Sequence, residues 1–278
     1  MARLGLVIWH PMEGMGSIRV AIGLGGGLLA LACCVAASGQ DLPLLGTGDV
    51  KYPPQSAPLS ADQVARKLQE RNAQRAAALE EFTSTRVYHM QYRGFPSDRD
   101  AEMVVKVTYN APDKKQFTMV SQTGSKFVIE HVFKKLLDGE QEAANEENRR
   151  HSALTSENYD FTAAGYEMTP LGAQYVLNLW PKTRNKFLYR GKIWVDAKDF
   201  AVVRIEGEPA RNPSMWIKKT AVNHRYMKVN DFWLPAENRT ESTIRLGGEA
   251  VLSIDYKDYK ITKTAPVRGP QTTGAAQR

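Results

Sequence analysis

Side chains that could act as nucleophiles, bases or metal ligands are few in this sequence and lie far apart. Beyond residue 39 no histidine lies at metal-ligand spacing from another; the four are His89, His131, His151 and His224. There is no Gly-x-Ser-x-Gly elbow, no glycine-rich phosphate loop and no His-Glu-x-x-His motif. We expect His131, on the apolar stripe of a predicted helix, to be a core histidine hydrogen-bonded to a neighbour. The sequence therefore predicts no catalytic residue, no metal and no cofactor.

Two carboxylate pairs, Asp255 with Asp258 and Glu140 with Glu142, could in principle exchange protons with a substrate. Their neighbours give no sign of such a role, and a solvated face explains both pairs. A lipid hydrolase is one alternative function, but it requires a nucleophile within hydrogen-bond reach of a base, for which the sequence offers no candidate. The residue types therefore favour a protein that holds a ligand over one that cleaves it.

The first 39 residues have the three parts of a secretory signal. A basic residue, Arg19, precedes the apolar run Val20–Ala37, and small residues follow. We expect cleavage after Ser38 or Gly39, which assigns residues 1–39 to a signal peptide and the mature chain to the periplasm. An uncleaved membrane anchor is the alternative, because the apolar run is long enough to span a bilayer.

Both cysteines of the chain, Cys33 and Cys34, lie inside this signal. The mature chain would then contain no disulfide, so its stability must come from its core. Neither cysteine follows a good lipidation motif. Attachment of a lipid to one of them, which would anchor the protein in the outer membrane, is a further alternative.

The net charge of the chain is +7, and it becomes +6 when Arg3, Glu13 and Arg19 leave with the signal. Such a mildly basic surface suits contact with anionic lipid headgroups or with many other partners. The basic residues are spread along the sequence, so we interpret most of them as the solvated faces of strands. Nucleic acid is not an expected partner, because no binding motif accompanies the charge.

The remaining sequence divides into a tether, one domain and a tail. Residues 40–58 contain four prolines and no periodicity, which is typical of an extended tether. Residues 59–262 carry helix and strand patterns without an internal boundary, and residues 263–278 lack an apolar pattern and are expected to be disordered. The domain begins with a helix capped by Ser60, and a second helix is predicted over Lys126–Glu146.

Alternation of apolar and polar residues predicts about ten strands, three between the two helices and the others after the second helix. The clearest pattern is Tyr175–Glu206, which contains three strands joined by short connections. A short strand that begins at Phe232 is expected to end at Pro235, which has no N–H group for the ladder. Twisted sheets of this size curl, and two helices over the open side would enclose an apolar space.

We expect side chains from one strand and one helix to line this space. In the middle strand of Tyr175–Glu206, one face is the more continuously apolar, and the second helix carries an apolar stripe of its own. The predicted lining residues are Phe187, Tyr189, Ile193 and Val195 from the strand, and Phe127, Val132 and Leu136 from the helix.

Several segments of this layout resemble a known group of bacterial envelope proteins. They are Arg71–Arg75 with Leu79, Glu157–Phe161, Gly191–Asp196, Arg204–Pro209 and Phe232–Pro235. Together with the order of elements over Ala61–Ile261, they resemble the outer membrane lipoprotein-sorting proteins, in the LolA/LolB-like superfamily of periplasmic lipoprotein carriers.

The resemblance implies an α+β, mainly β fold, in which a curved antiparallel sheet forms an incomplete (half) β-barrel and two or more helices cover its concave face. It implies a non-enzymatic carrier of lipoprotein acyl chains or lipid, with transfer partners at the inner or outer membrane. In such carriers an arginine helps to hold a lid closed by hydrogen bonds, and Arg86 is the candidate by location. The same fold serves envelope-stress sensors, so a regulatory interaction protein is the alternative function.

Overall fold

The computed structural model of the chain describes residues 57–143, 146–212, 214–245 and 247–266. The predicted signal peptide, nearly all of the predicted tether and residues 267–278 of the predicted tail lie outside these ranges. No helix within them is long and apolar enough to cross a membrane.

The first helix, α1, spans Ala61–Ala78 and begins where the sequence predicts. The Ser60 side chain accepts a hydrogen bond from the Gln63 backbone N–H, and the Gln63 side chain accepts one from the Ser60 N–H. This reciprocal pair satisfies two backbone donors that a helix start leaves without partners. Leu79 adopts an extended conformation, so the chain passes from α1 straight into the first strand.

The second predicted helix is interrupted. It consists of α2 (Lys126–Val128), a π-helical turn (Ile129–Phe133), α3 (Lys134–Ala143) and α4 (Glu146–Ser152). A π turn inserts an extra residue and rotates the next helical turn about the axis. As a result Ile129 and Phe133 are buried. The prediction that His131 is a core residue is wrong: it is exposed, with its ring 4.6 Å from that of Phe127.

Ten strands form one antiparallel sheet. They are β1 (Leu79–Arg93), β2 (Arg99–Asn110), β3 (Lys114–Gly124), β4 (Tyr159–Thr169), β5 (Gly172–Pro181), β6 (Tyr189–Asp196), β7 (Val202–Pro209), β8 (Ile217–Val229), β9 (Phe232–Ile244) and β10 (Glu249–Thr264). Their order across the sheet is β3-β2-β1-β10-β9-β8-β7-β6-β5-β4. Among the described strands, β3 and β4 occupy the two edges and do not pair with each other, so the curved sheet is a half-barrel. The predicted fold class is confirmed.

Pro235 does not end a strand, contrary to the sequence-based expectation. It lies inside β9, opposite Tyr226, where the β8–β9 register shifts between Arg225 and Tyr226. A bulge of this kind accommodates a residue that cannot donate to the ladder. The Pro235 carbonyl accepts a hydrogen bond from the Tyr259 hydroxyl at 2.9 Å.

Buried apolar side chains form two large cores between the sheet and the helices, and a small third cluster of Ala78, Phe232 and Leu234. In the first core, Val64 and Leu68 of α1 pack on β4–β8; its other members include Tyr159, Tyr175, Leu177, Leu179, Leu188, Tyr189, Ile193, Val195, Ile205 and Val222. In the second core, the α2–α3 region packs on β1, β2 and β10; its members include Tyr88, Met90, Met103, Val105, Val107, Val128, Ile129, Val132, Phe133, Leu136, Leu252, Ile254 and Tyr256. The helical segment crosses the sheet from one edge to the other, because it joins β3 to β4.

Candidate functional site

An apolar cavity of about 100 Å³ lies where α1 meets β1, against the small third cluster, whose Phe232 and Leu234 line it. Its walls are mainly aromatic and aliphatic, with three basic side chains among them. They comprise Leu79, Phe82, Tyr109, Tyr226, Phe232, Trp233, Leu234, Pro235 and Tyr259, together with Ala76, Arg75, Arg86 and Lys115. Apolar walls with a few placed polar groups are typical of a ligand site.

A buried ion pair joins the cavity wall to the helical cover. Arg86 Nη1 donates to both carboxylate oxygens of Glu140, at 3.0 and 2.9 Å, and the Tyr88 hydroxyl donates to the same carboxylate at 3.3 Å. Only 1% of Arg86 and 2% of Glu140 are exposed. The pair therefore connects β1, the third strand from one edge of the sheet, to α3.

The strand pattern explains why an arginine is buried here. Alternate residues of β1 point towards the helices, and Arg86 takes one of these positions between Ser84 and Tyr88. Its guanidinium lies 5.2 Å from the ring centre of Tyr256 and 5.7 Å from that of Phe117. The free-energy cost of burying a guanidinium is lowest where aromatic faces and a carboxylate surround it.

Burial also changes the acidity of the groups around the cavity. It raises the pKa of Glu140, against the opposing pull of Arg86 and Lys115. Burial is the largest influence on Arg86 and lowers its pKa, but Glu140 together with Tyr88, Tyr256 and Tyr259 outweighs it, so the pKa of Arg86 lies above its usual value. The pKa of Lys115 falls to about 7, because burial and the charge of Arg86 outweigh the attraction of Glu140. Lys115 is half-buried, so the remaining solvent limits this effect.

A second polar contact ties α1 to the sheet on the other side of the cavity. Arg75 donates to the backbone carbonyls of Asp199 and Phe200, both at 2.9 Å, and to the side chain of Asn72 at 2.8 Å. The Asp199 side chain in turn accepts from Lys228 at 2.6 Å and from Trp233 at 2.9 Å. Burial lowers the pKa of Arg75 to about 10, although Asp199 opposes this. The C-terminal end of α1 is thereby tied to the β6–β7 turn.

None of the seven predicted lining residues is among those that line this cavity, and five of them lie in the two large cores. Tyr189, Ile193 and Val195 lie in the first core with α1. Phe187, which precedes them in the sequence, is also buried. Val132 and Leu136 belong to the second core. Phe127 is half-buried and lies under the guanidinium of Arg99, 4.5 Å away.

The interpretation of Glu140 as a carboxylate on a solvated face is wrong, because only 2% of it is exposed, and Lys115 is a site residue that the sequence did not predict. A signal for Glu140 was present, because it continues the buried helix series Val132–Leu136 at a spacing of four residues. An acid at an inward helix position indicates a buried basic partner. No comparable signal marks Lys115, which lies in a strand with an exposed face. Within the described ranges no three His, Cys, Asp or Glu side chains are grouped so as to hold a metal ion.

No family model matches the chain, and no curated protein matches it. Several solved structures do. One is a putative outer membrane lipoprotein-sorting protein domain from Vibrio parahaemolyticus, with 12% identity over 78% of this chain and 95% of that one, at a TM-score of 0.37. Another is a LolA superfamily protein from Nitrosomonas europaea, with 13% identity over 74% and 94%, at a TM-score of 0.32.

A third similar structure is the MucA/MucB complex of Pseudomonas aeruginosa, with 9% identity over 69% of this chain and 93% of that one, at a TM-score of 0.26. Two of these three carry the family name that the sequence itself resembles. Identities and TM-scores this low carry no conclusion about the ligand or the role of this chain.

Proposed function

We propose that this protein is a non-enzymatic periplasmic carrier of lipid or of lipoprotein acyl chains in outer-membrane lipoprotein sorting. The observation that supports this proposal most directly is the apolar cavity where α1 meets β1, with a buried Arg86–Glu140 pair at its wall. Each methylene transferred from water to such a site contributes about 0.8 kcal/mol. A long acyl chain therefore gains most from a continuous apolar space.

The size of the cavity indicates a closed form. Its volume of about 100 Å³ is smaller than the engineered cavity of roughly 150 Å³ that binds benzene. A whole acyl chain requires more space than this, so binding must separate the helical cover from the sheet. On opening, the predicted residues Val132 and Leu136 from the helix side, and Val105 and Ile254 from the sheet side, would extend the apolar surface that the ligand contacts.

The lid role predicted for Arg86 belongs to this proposal. Separating α3 from the sheet would leave Arg86 and Glu140 to be rehydrated, and a buried charge without its partner is costly. The pair therefore favours the closed form until a ligand occupies the space. Transfer partners at the inner or outer membrane would receive the ligand, since a carrier must release what it binds.

Titration of the purified protein with a fluorescent fatty acid tests the cavity. Ala76→Trp fills the space, because Ala76 lines it, and should weaken binding at least about tenfold, as the loss of two buried methylenes already would. Ala77→Trp is the matched control, because Ala77 is exposed on the same helix and does not line the cavity.

Equal affinities of the two variants, or a wild-type protein that does not bind the probe, would contradict the carrier. Native mass spectrometry of the protein purified from cells adds an independent result, since a carrier should retain lipid. If no lipid binds and a stable membrane partner is captured instead, the regulatory interaction protein replaces the carrier. Turnover of a lipid ester that depends on one serine or histidine would support the hydrolase.

A further inference from the structure

Six basic side chains that are scattered in the sequence line one polar groove of about 500 Å³. They come from the loops and strand ends at one end of the sheet, and we call them the basic rim: Arg184, Arg190, Arg211, Lys218, Lys219 and Arg245. Antiparallel strands bring the β5–β6, β7–β8 and β9–β10 connections to the same end. The expectation that basic residues are spread over strand faces therefore fails here.

Backbone hydrogen bonds hold these connections together. The Ala210 N–H donates to the Leu188 carbonyl at 2.7 Å, which joins the β7–β8 connection to the segment before β6. The Arg245 N–H donates to the Trp216 carbonyl at 2.8 Å, which joins the β9–β10 connection to the β7–β8 connection. The basic rim is thus a connected surface.

The rim carries a large excess of positive charge. Among its described lining residues Glu208 is the only acid, and it accepts a hydrogen bond from Arg190 Nε at 3.0 Å. Five of the six basic residues remain without an acidic neighbour in the lining. Arg211, Lys218 and Lys219 are exposed, so their charges face the solvent.

Exposed apolar side chains accompany this charge. Met215, in the β7–β8 connection, is 78% exposed, and Trp180, at the end of β5, is 51% exposed. Phe95, in the β1–β2 connection, is 69% exposed. Its loop lies at the same end, because the Tyr92 hydroxyl lies within hydrogen-bonding distance of the carbonyls of both Phe95 and Gly247.

We propose that the basic rim docks on the surface of a bilayer that contains anionic phospholipids. Basic side chains attract the anionic headgroups, while tryptophan, phenylalanine and methionine enter the interface beside them. An acidic protein would match the charge but would leave three exposed large apolar side chains unexplained.

This docking goes beyond carriage in the cavity and does not depend on it. The cavity lies at the other end of the sheet, where β1 begins and β10 ends. A strand advances about 3.4 Å per residue, so the two sites are separated by roughly 20 Å or more. A molecule docked through the rim would therefore turn its cavity end away from that membrane, towards a second partner.

Co-sedimentation with vesicles tests the proposal. The full chain, in the form that the expressing cell produces, is mixed with vesicles of phosphatidylglycerol and phosphatidylethanolamine or of phosphatidylcholine alone. We expect binding to the anionic vesicles that weakens at high salt. The triple variant Arg211→Gln, Lys218→Gln, Lys219→Gln should bind about 100-fold less tightly, since each basic side chain near an anionic surface contributes roughly fivefold.

The matched control carries the same loss of charge elsewhere. Lys106→Gln, Lys257→Gln and Lys260→Gln change three exposed lysines of β2 and β10 that lie outside the rim, and should leave binding within about twofold. Met215→Ser keeps the charge and should lower binding by about tenfold, through loss of apolar insertion. Circular dichroism checks that each variant is folded.

Three outcomes would overturn the proposal. They are equal losses in the rim and control variants, equal binding to phosphatidylcholine vesicles, and no binding of the wild-type chain to anionic vesicles. Failure of the fatty-acid titration would leave this result unaffected, because the rim variants do not touch the cavity.

Discussion

The two cores of the half-barrel stabilise their helices in different ways. The first core holds α1 on β4–β8 with aliphatic side chains and tyrosines, and its buried His224 packs edge-on against Tyr189 at 5.3 Å. The second core adds an ion pair: Arg86 and Glu140 are the two buried Arg, Lys, Asp or Glu side chains in the described part of the chain. Removing one partner of a buried ion pair leaves an uncompensated charge, a cost that truncating an apolar side chain does not carry.

This difference suggests that the two helical regions differ in how easily they separate from the sheet. The helix α1 has a complete capping box and runs directly into β1, so its movement would disturb that strand. The cover formed by α2, the π turn and α3 is joined to the sheet through its packing and through Glu140. The second core is therefore the one we expect to open, and the first is the one we expect to stay closed.

The largest expected effect is on the ion pair. Glu140→Ala leaves Arg86 buried without its carboxylate and should lower the free energy of unfolding by about 3–5 kcal/mol. Hydrogen exchange should show that α3 amides lose protection while α1 amides keep theirs. The fluorescent fatty acid should also bind faster, because the closed form is less favoured.

The double variant Arg86→Leu, Glu140→Leu is the control for this effect. It removes both charges, so most of the lost stability should return. If Glu140→Ala alone is as stable as the wild type, the pair does not hold the cover, and the contrast between the cores disappears.

Leu68→Ala is the corresponding change in the first core. Leu68 is fully buried, so the substitution should lower the free energy of unfolding by about 2–5 kcal/mol in urea denaturation. Leu136→Ala is matched to it in the second core, where 1% of the side chain is exposed. We expect exchange to increase in α3 only for Leu136→Ala; increased exchange in α3 for Leu68→Ala would show that the two cores open as one unit.

The smallest effect concerns pH. The pKa of Lys115 is about 7 in the folded protein and about 10.4 in an unfolded chain. Between these values the unfolded chain binds the extra proton, so the contribution of Lys115 to stability rises with pH, and it is constant below 7. Unfolding measured from pH 7 to pH 9 should show this increase in the wild type and lose it in Lys115→Met. The control Lys114→Met, at the exposed neighbour, should keep the wild-type slope.

Local patterns allowed the sequence to predict much of the fold. Ser60 marks the start of α1, and strict alternation marks the strand that contains Arg86. The π turn was not predictable from the apolar spacing, because the stripe over Phe127 and His131 fits an ordinary helix equally well. The prediction about His131 failed for this reason.

Contacts between segments that lie far apart in the sequence could not be predicted. The burial of Glu140 depends on a strand more than fifty residues earlier, with which it forms an ion pair. The basic rim depends on the alignment of three strand connections. The positions of basic residues along the sequence did not predict that cluster, because only the antiparallel order of β5–β10 places those side chains together.

The position of the β1–β10 pair has a consequence for how the molecule folds. These strands are neighbours inside the sheet, third and fourth in its order, although the Tyr92–Gly247 contact beside them joins residues 155 positions apart. The β1–β3 meander can form early from local contacts, but its inner edge must wait for the last strand. Until β10 arrives, β1 presents an open ladder on which another chain can add. We therefore expect the pairing of β1 with β10 to be the slow step of folding. The chain that has not yet formed this pair is the species most in need of a chaperone.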